Sequence, residues 1–139
     1  MTENKLLRDL EEILNGSIDP VMFPYKKGNS LRIGKYAVRN SRGYYKVFDC
    51  ETNKQVAQMF CKSSAVALAK SLAQGHNSLE SIKHIDQHIQ KWYNDCVFYK
   101  HTMKVTKDDI KFDVVSTRYD IARDQTDKAR KQLDKYIYA

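Results

Sequence analysis

The sequence IKHIDQHIQKWYNDCVFYKHTM, residues 82–103, determines how the second half of the chain folds. Its apolar and semi-apolar side chains are spaced by three and four residues in alternation, which is the heptad pattern of a helix that packs along one side. The pattern returns in residues 112–136, FDVVSTRYDIARDQTDKARKQLDKY, after a short link around Lys104 to Thr106. Two helices joined so closely are predicted to form an antiparallel hairpin with facing seams. The seam positions are Ile82, Ile85, Ile89, Trp92, Cys96, Tyr99 and Met103, then Phe112, Val115, Tyr119, Ala122, Thr126, Ala129, Leu133 and Tyr136.

The predicted length of the second hairpin helix bears on function. A helix from Thr106 to near Tyr138 would be roughly 45–50 Å long, which exceeds a compact domain of this size. We therefore expect part of the hairpin to project and to meet a second copy or another partner. The contact residues predicted for it are Trp92, Tyr99, Tyr119 and Leu133. The alternative is a hairpin that folds back and buries its surface against the rest of the chain.

The segment before the hairpin changes to the two-residue period of strands. Residues 36–40, 44–49 and 55–61 alternate apolar with mainly polar side chains, and residues 30–33 are a candidate fourth strand. Ser41-Arg42-Gly43 predicts a tight turn, with loops of two or three residues both open. A helix follows, capped by Ser63 or Ser64 and ended by Gln74-Gly75.

The start of the chain is predicted to be an amphipathic helix over residues 2–15, followed by a loop that contains two prolines. The fold class is therefore α+β: an N-terminal helix, a three- or four-stranded antiparallel meander with one packed helix, and a long C-terminal antiparallel helical hairpin. With 139 residues the chain suits a single domain. Its parts are a helix plus loop in residues 1–29, a basic sheet-helix module in 30–75 and the hairpin in 76–139.

Composition narrows the class of protein. Hydrophobic residues make up 42% and charged residues 29% of the chain, which excludes disordered and low-complexity classes. Apolar runs are too short to cross a membrane, and the polar start Thr2-Glu3-Asn4 is unlike a signal peptide. The three cysteines form no CxxC pair, which favours a reducing compartment. We expect a cytoplasmic protein without a membrane partner.

Positive charge is concentrated in the middle of the chain. The net charge is +7, and residues 30–75 alone carry eight basic and two acidic side chains, a net charge of +6. Such an excess attracts polyanions, so nucleic acid is a candidate partner. The residues predicted to bind it are Arg39, Arg42, Tyr44 and Lys46, because cations neutralise phosphate while a tyrosine stacks on a base. The alternative is a solvated sheet face without a ligand.

No catalytic constellation stands out. Glu80, His84 and His88 are spaced four residues apart on one helix and could meet a metal, but they lie off the seam, where a solvated face is the ordinary outcome. Cys96 falls on the seam, and no histidine is near Cys50 or Cys61 in the sequence. No phosphate-binding glycine motif occurs. We therefore predict a protein that is not an enzyme and that has no catalytic residue, no cofactor and no metal.

Two local resemblances concern the sheet-helix module. KSSAVALA, residues 62–69, resembles the last-helix motif of the double-stranded RNA-binding domain, although Lys62 stands alone where that family has consecutive lysines that touch phosphates. The meander and its helix are similar to the DNA-reading sheet of plant ethylene-response-factor domains, without their tryptophans. Both are likenesses of topology, which set a prior for the fold and do not establish a function.

A further resemblance covers more of the chain. GNSLRIGKY, residues 28–36, and FCKSSAVALAKSLA, residues 60–73, resemble small uncharacterised proteins of tailed phages that infect marine cyanobacteria. This implies a viral origin, the cytoplasm of a bacterial host and a host or phage protein as partner. The sequence as a whole predicts a non-catalytic interaction or assembly module that self-associates or binds a partner through its hairpin. The alternative is a nucleic-acid-binding accessory protein that uses the basic sheet.

Overall fold

The computed structural model describes residues 25–26, 30–41 and 43–138 of the chain. It contains an antiparallel sheet followed by helices, an α+β architecture. The predicted helix over residues 2–15 lies outside the described residues. The elements are β1 (Tyr25–Lys26), β2 (Ser30–Ile33), β3 (Tyr36–Ser41), β4 (Tyr44–Asp49), β5 (Lys54–Met59), α1 (Lys62–Ala73), α2 (Leu79–Val105), α3 (Asp109–Lys131) and α4 (Asp134–Ile137).

The sheet is a meander in which each strand pairs with the next one along the chain, in the order β1 to β5. The predicted strands and the candidate fourth strand at residues 30–33 are confirmed, and the two-residue β1 adds an edge. Ser41 pairs with Tyr44, so the β3–β4 loop has two residues, which settles the alternative left open above. Gly43 has φ of +85° there, a conformation that glycine adopts without a steric penalty.

One face of the sheet is covered by α1. Leu31, Val38 and Val47 pair side by side across three strands and are at most 3% exposed. The side chains of α1 that meet them are mostly small, and Ala65, Ala67 and Ala69 among them are fully buried. Small side chains let a helix approach a sheet closely. The prediction of one packed helix, ended near Gly75, is therefore confirmed.

The start of α1 differs from the prediction. The residue at the N-cap is Cys61, and no side chain caps the helix, because Ser63 and Ser64 already lie inside its first turn and are buried. The backbone just before the helix is instead held by Asp86 of α2. Its carboxylate accepts hydrogen bonds from the backbone N–H of Phe60 at 2.8 Å and of Cys61 at 3.3 Å.

Helices α2 and α3 form the predicted hairpin, joined by Thr106 to Asp108. Asp108 caps α3 by accepting a hydrogen bond from the N–H of Lys111 at 3.0 Å. The second helix is shorter than expected, since α3 ends at Lys131 and the chain continues into the four-residue α4.

The two ends of the hairpin have different surroundings. We call residues 79–93 and 126–137 the basal hairpin, and residues 97–121 the distal hairpin. Side chains of the basal hairpin share one hydrophobic core with the sheet and α1, and they include Ile82, Ile85, Ile89, Ala129, Leu133 and Ile137. Farther out a separate cluster is formed by Cys96, Tyr119 and Ala122, and the partly buried side chains packed against it all come from α2. The hairpin thus extends beyond the common core.

Candidate functional site

Exposed apolar side chains are concentrated on the distal hairpin. Nine large hydrophobic residues are exposed among those that the structure describes, and seven of them lie within this segment. The seven are Val97, Phe98, Val105, Ile110, Phe112, Val114 and Ile121. Their concentration in 25 residues of sequence exceeds the scattered exposure that is normal for a protein surface.

A second apolar row runs along α3 on the side opposite its seam. Ile110, Val114, Thr117 and Ile121 follow each other at intervals of four, three and four residues, which places them on one helix face. Tyr119, on the seam, is directed toward α2 and is only 3% exposed. Ile110, Val114 and Ile121 are 78%, 47% and 53% exposed. We call this row the α3 outer stripe.

Helix α2 presents a smaller apolar surface of its own. Phe98 and Val105 are seven residues apart, share one face of the helix and are 64% and 61% exposed. The ring of Phe98 touches that of Tyr99, with centroids 5.6 Å apart. Because the two seams face each other, this surface and the α3 outer stripe lie on opposite sides of the hairpin.

None of the four interface residues predicted from the sequence is among the exposed hydrophobic residues. Trp92 and Tyr99 are half-buried and pack on the distal cluster, whereas Tyr119 and Leu133 are buried. A contact through Tyr119 would require the hairpin to open, because its seam position pairs α3 with α2. Leu133 follows α3 and is buried in the core shared with the sheet and α1, so a contact through it would require that core to open. The candidate contact surface is therefore formed by the outward faces of α2 and α3, and the prediction that placed it on the seam is wrong. The four-three-four spacing of residues 110, 114, 117 and 121 was the available sequence signal.

Two of the basic residues predicted to bind nucleic acid, Arg39 and Lys46, lie on the sheet face opposite α1. Arg39 pairs directly with Lys46 across β3 and β4, so their side chains lie on the same face. Tyr44, 41% exposed, shares that face, as does Arg32 on β2. Arg42 lies outside the described residues.

The guanidinium of Arg39 rests over the ring of Phe48, 4.9 Å from its centroid. This cation–π contact holds the Arg39 side chain along the sheet surface. The outer face thus carries Arg32, Arg39 and Lys46 beside two aromatic rings.

Other described cations of the basic segment lie away from this face. Lys35 lies in the β2–β3 turn, 3.7 Å from the carboxylate of Asp49 and 3.8 Å from that of Glu51, and these two charges with Tyr36 raise its pKa. The ammonium of Lys70 donates a hydrogen bond to the carbonyl oxygen of Ile137. Desolvation by burial lowers the pKa of Lys62. The excess charge of residues 30–75 is therefore only partly collected on the sheet face.

Two of the three cysteines, Cys61 and Cys96, are buried, whereas Cys50 is half-buried. Burial, and then the charge of Asp86, raise the pKa of the Cys61 thiol to about 12. Burial likewise raises the pKa of the Cys96 thiol to about 11. A thiol with so high a pKa is almost fully protonated at neutral pH and is a weak nucleophile.

The histidines on α2 were the metal candidates that the sequence offered. The rings of His84 and His88 touch, with centroids 4.4 Å apart. Among the residues that the structure describes, no group of three or more metal-ligating side chains is arranged to hold an ion. Nor is any described helix long and apolar enough to cross a membrane.

No family model matches the chain, and neither a curated protein nor a solved structure matches it. The resemblance to phage proteins stays a prediction.

Proposed function

We propose that this protein is a non-catalytic interaction module that engages a second copy or another protein through its distal hairpin. The observation that carries the proposal is the placement of seven of the nine exposed large hydrophobic residues, among those described, on residues 97–121. Leaving such side chains in water forgoes roughly 25 cal/mol for each Å² that a partner would cover. Association is the ordinary use of a surface of this kind.

The hairpin also supplies the rigidity that a binding surface needs. Helix α2 has 27 residues and is therefore roughly 40 Å long. Its distal part is held by the seam against α3 and not by the sheet, so its outward face is ordered yet open. A helix face that is ordered before binding loses little conformational entropy on association.

Photo-crosslinking tests the proposal directly. A benzophenone amino acid is placed at Phe98 or at Ile121, and the matched control places it at Gln87, an exposed position in the basal part of α2. After irradiation of the pure protein and of cell extract, we expect discrete adducts from the two distal positions. Adducts that form equally from position 87, or none from positions 98 and 121, would contradict the proposal.

A second candidate function rests on the sheet. Arg39 and Lys46 form a cross-strand pair of like charges, which costs stability and is therefore a feature that a polyanionic ligand would offset. Tyr44 and Phe48 place aromatic rings beside them. This arrangement suits contact with phosphate and a stacked base.

Salt dependence tests this second candidate. Each phosphate that the protein neutralises on duplex DNA adds about −0.9 to the slope of log affinity against log salt concentration. We expect Arg39→Ala with Lys46→Ala to reduce the magnitude of the slope by about 2. The charge-matched control is Lys54→Ala with Lys128→Ala, two exposed lysines elsewhere. Equal loss in both double variants would exclude the sheet face as the site.

A further inference from the structure

The α3 outer stripe is bordered by opposite charges on its two sides. On one side lie Lys111 and Arg118, which directly follow Ile110 and Thr117 and are seven residues apart. On the other side lie Asp113 and Asp120, which directly precede Val114 and Ile121 and are also seven residues apart. All four charged residues are exposed. The stripe therefore has a basic border and an acidic border along its length.

Such borders select the orientation of a partner helix. If two copies of the stripe meet in parallel about a two-fold axis, the basic border of each lies against the acidic border of the other. If the copies meet antiparallel, basic faces basic and acidic faces acidic. Like charges at these positions oppose association, so the pattern favours the parallel pairing.

We propose that two copies of this chain associate in parallel along the α3 outer stripe. In the heptad geometry of parallel helices, a residue at an acidic border position lies beside the position five residues later on the partner helix. Asp113 then pairs with Arg118 of the second copy, and the two-fold axis repeats that pair. Ile110, Val114, Thr117 and Ile121 of each copy stack on their counterparts between the two ion pairs. This inference rests on the proposed function and names the partner of the same surface.

The contact is short, because the next stripe positions toward the C-terminus are Asp124 and Lys128, both exposed. The four layers of the stripe, three apolar and one of threonine, span roughly 16 Å of helix. A surface of this size is below that of a standard stable interface, so we expect a dissociation constant of roughly 10–100 µM. The dimer therefore forms and dissociates with protein concentration.

Sedimentation velocity of the full chain between about 5 and 500 µM measures the dimer. The wild type is expected to shift from monomer to dimer across this range. Ile121→Asp, which places a charge in the stack, is expected to stay monomeric. Asp113→Lys and Arg118→Asp each replace both attractive pairs by repulsive ones, and we expect each variant alone to dimerise about tenfold more weakly. The affected side chains are exposed, and far-UV circular dichroism checks that the fold is retained.

An equimolar mixture of Asp113→Lys and Arg118→Asp gives the decisive result. Between these two chains both positions pair opposite charges again: one ion pair is the wild-type Asp113–Arg118 pair and the other has its signs exchanged. The mixture is therefore expected to dimerise as strongly as the wild type. Failure of the mixture to associate would overturn the parallel pairing. A wild type that stays monomeric to 500 µM would overturn self-association. This result is expected if another occupant, such as residues 2–15 of the same chain, covers the stripe. If distal crosslinks to a different protein then persist, the proposed function stands without this inference; if they are absent, both fail.

Discussion

The basal and the distal hairpin are built from one heptad pattern but have different surroundings. In the basal part, side chains of α2, α3 and α4 share one core with the sheet and α1, so Ile89 and Leu133 are fully buried. In the distal part, within the portion of the chain that the structure describes, the two helices pack on each other alone, and side chains off the seam such as Phe98 and Ile121 remain exposed. A heptad seam therefore predicts that two helices pair, whereas the outward faces determine whether the pair is buried in the core or exposed to a partner.

The largest expected difference between the two parts is in the free energy of unfolding. Ile89→Ala removes a fully buried side chain from the common core and leaves a cavity, so we expect a loss of about 2–5 kcal/mol. Ile121→Ala on the α3 outer stripe is expected to stay within about 0.5 kcal/mol of the wild type. Urea unfolding at micromolar concentration, where the chain is monomeric, measures both. Similar losses would show that the distal face is covered.

A somewhat smaller effect is expected for Asp86→Asn. The carboxylate of Asp86 joins α2 to the turn before α1 by accepting hydrogen bonds from two backbone N–H groups. A carboxamide offers one oxygen for these two donors, so we expect a loss of about 1–3 kcal/mol. Asp95→Asn, in the same helix but outside the common core, serves as the control. An equal effect of both variants in urea unfolding would contradict a special role of Asp86.

The same carboxyl group gives an expected pH dependence. Burial raises the pKa of Asp86 above its ordinary value, although the N–H groups of Phe60 and Cys61 and the Ser64 hydroxyl favour the charged form. The folded chain then holds this proton more tightly than the unfolded chain does. The stabilisation by Asp86 relative to the Asp86→Asn variant therefore falls as the pH rises from about 4 through the raised pKa. Urea unfolding of both proteins between pH 4 and 7 measures the trend, and a rising difference would contradict it.

The smallest of these effects concerns thiol reactivity, which compares the common core with the distal cluster. Cys61 lies in the common core and Cys96 in the distal cluster, and both thiols are buried with raised pKa values. We expect an aromatic disulfide reagent to modify half-buried Cys50 first, then Cys96, and Cys61 last. Mass spectrometry of single-cysteine variants gives the three rates. Modification of Cys61 before Cys96 would contradict a less stable distal part.

Local periodicity accounts for the features that the sequence predicted correctly. The strands near residues 36–40 and 44–49, the helix that ends before Gly75 and the hairpin each follow from a two-residue or heptad period. The β3–β4 loop length did not follow, because loops of two and three residues both accommodate Gly43. Pairing of Arg39 with Lys46 became known only with the strand register.

Contacts between distant segments account for most of what the sequence did not predict. The hydrogen bonds from Phe60 and Cys61 to Asp86 join residues about 25 positions apart, and no periodic pattern reports them. Tyr119 and Leu133 were assigned to an interface because one apolar seam was expected both to pair the helices and to bind a partner. The structure separates these roles. The seam pairs α2 with α3 within the chain, whereas the α3 outer stripe is exposed and available to a partner.

Hydrogen exchange of the full chain at about 5 and 500 µM tests the central claim most directly, namely that the outward face of the distal hairpin is a contact surface. At the lower concentration, we predict that amides of residues 110–121 exchange faster than those of residues 82–89, which are held by the common core. At the higher concentration, exchange of residues 110–121 is predicted to slow while that of residues 82–89 stays unchanged. Equal protection of both segments at 5 µM, with no change on concentration, would contradict the account.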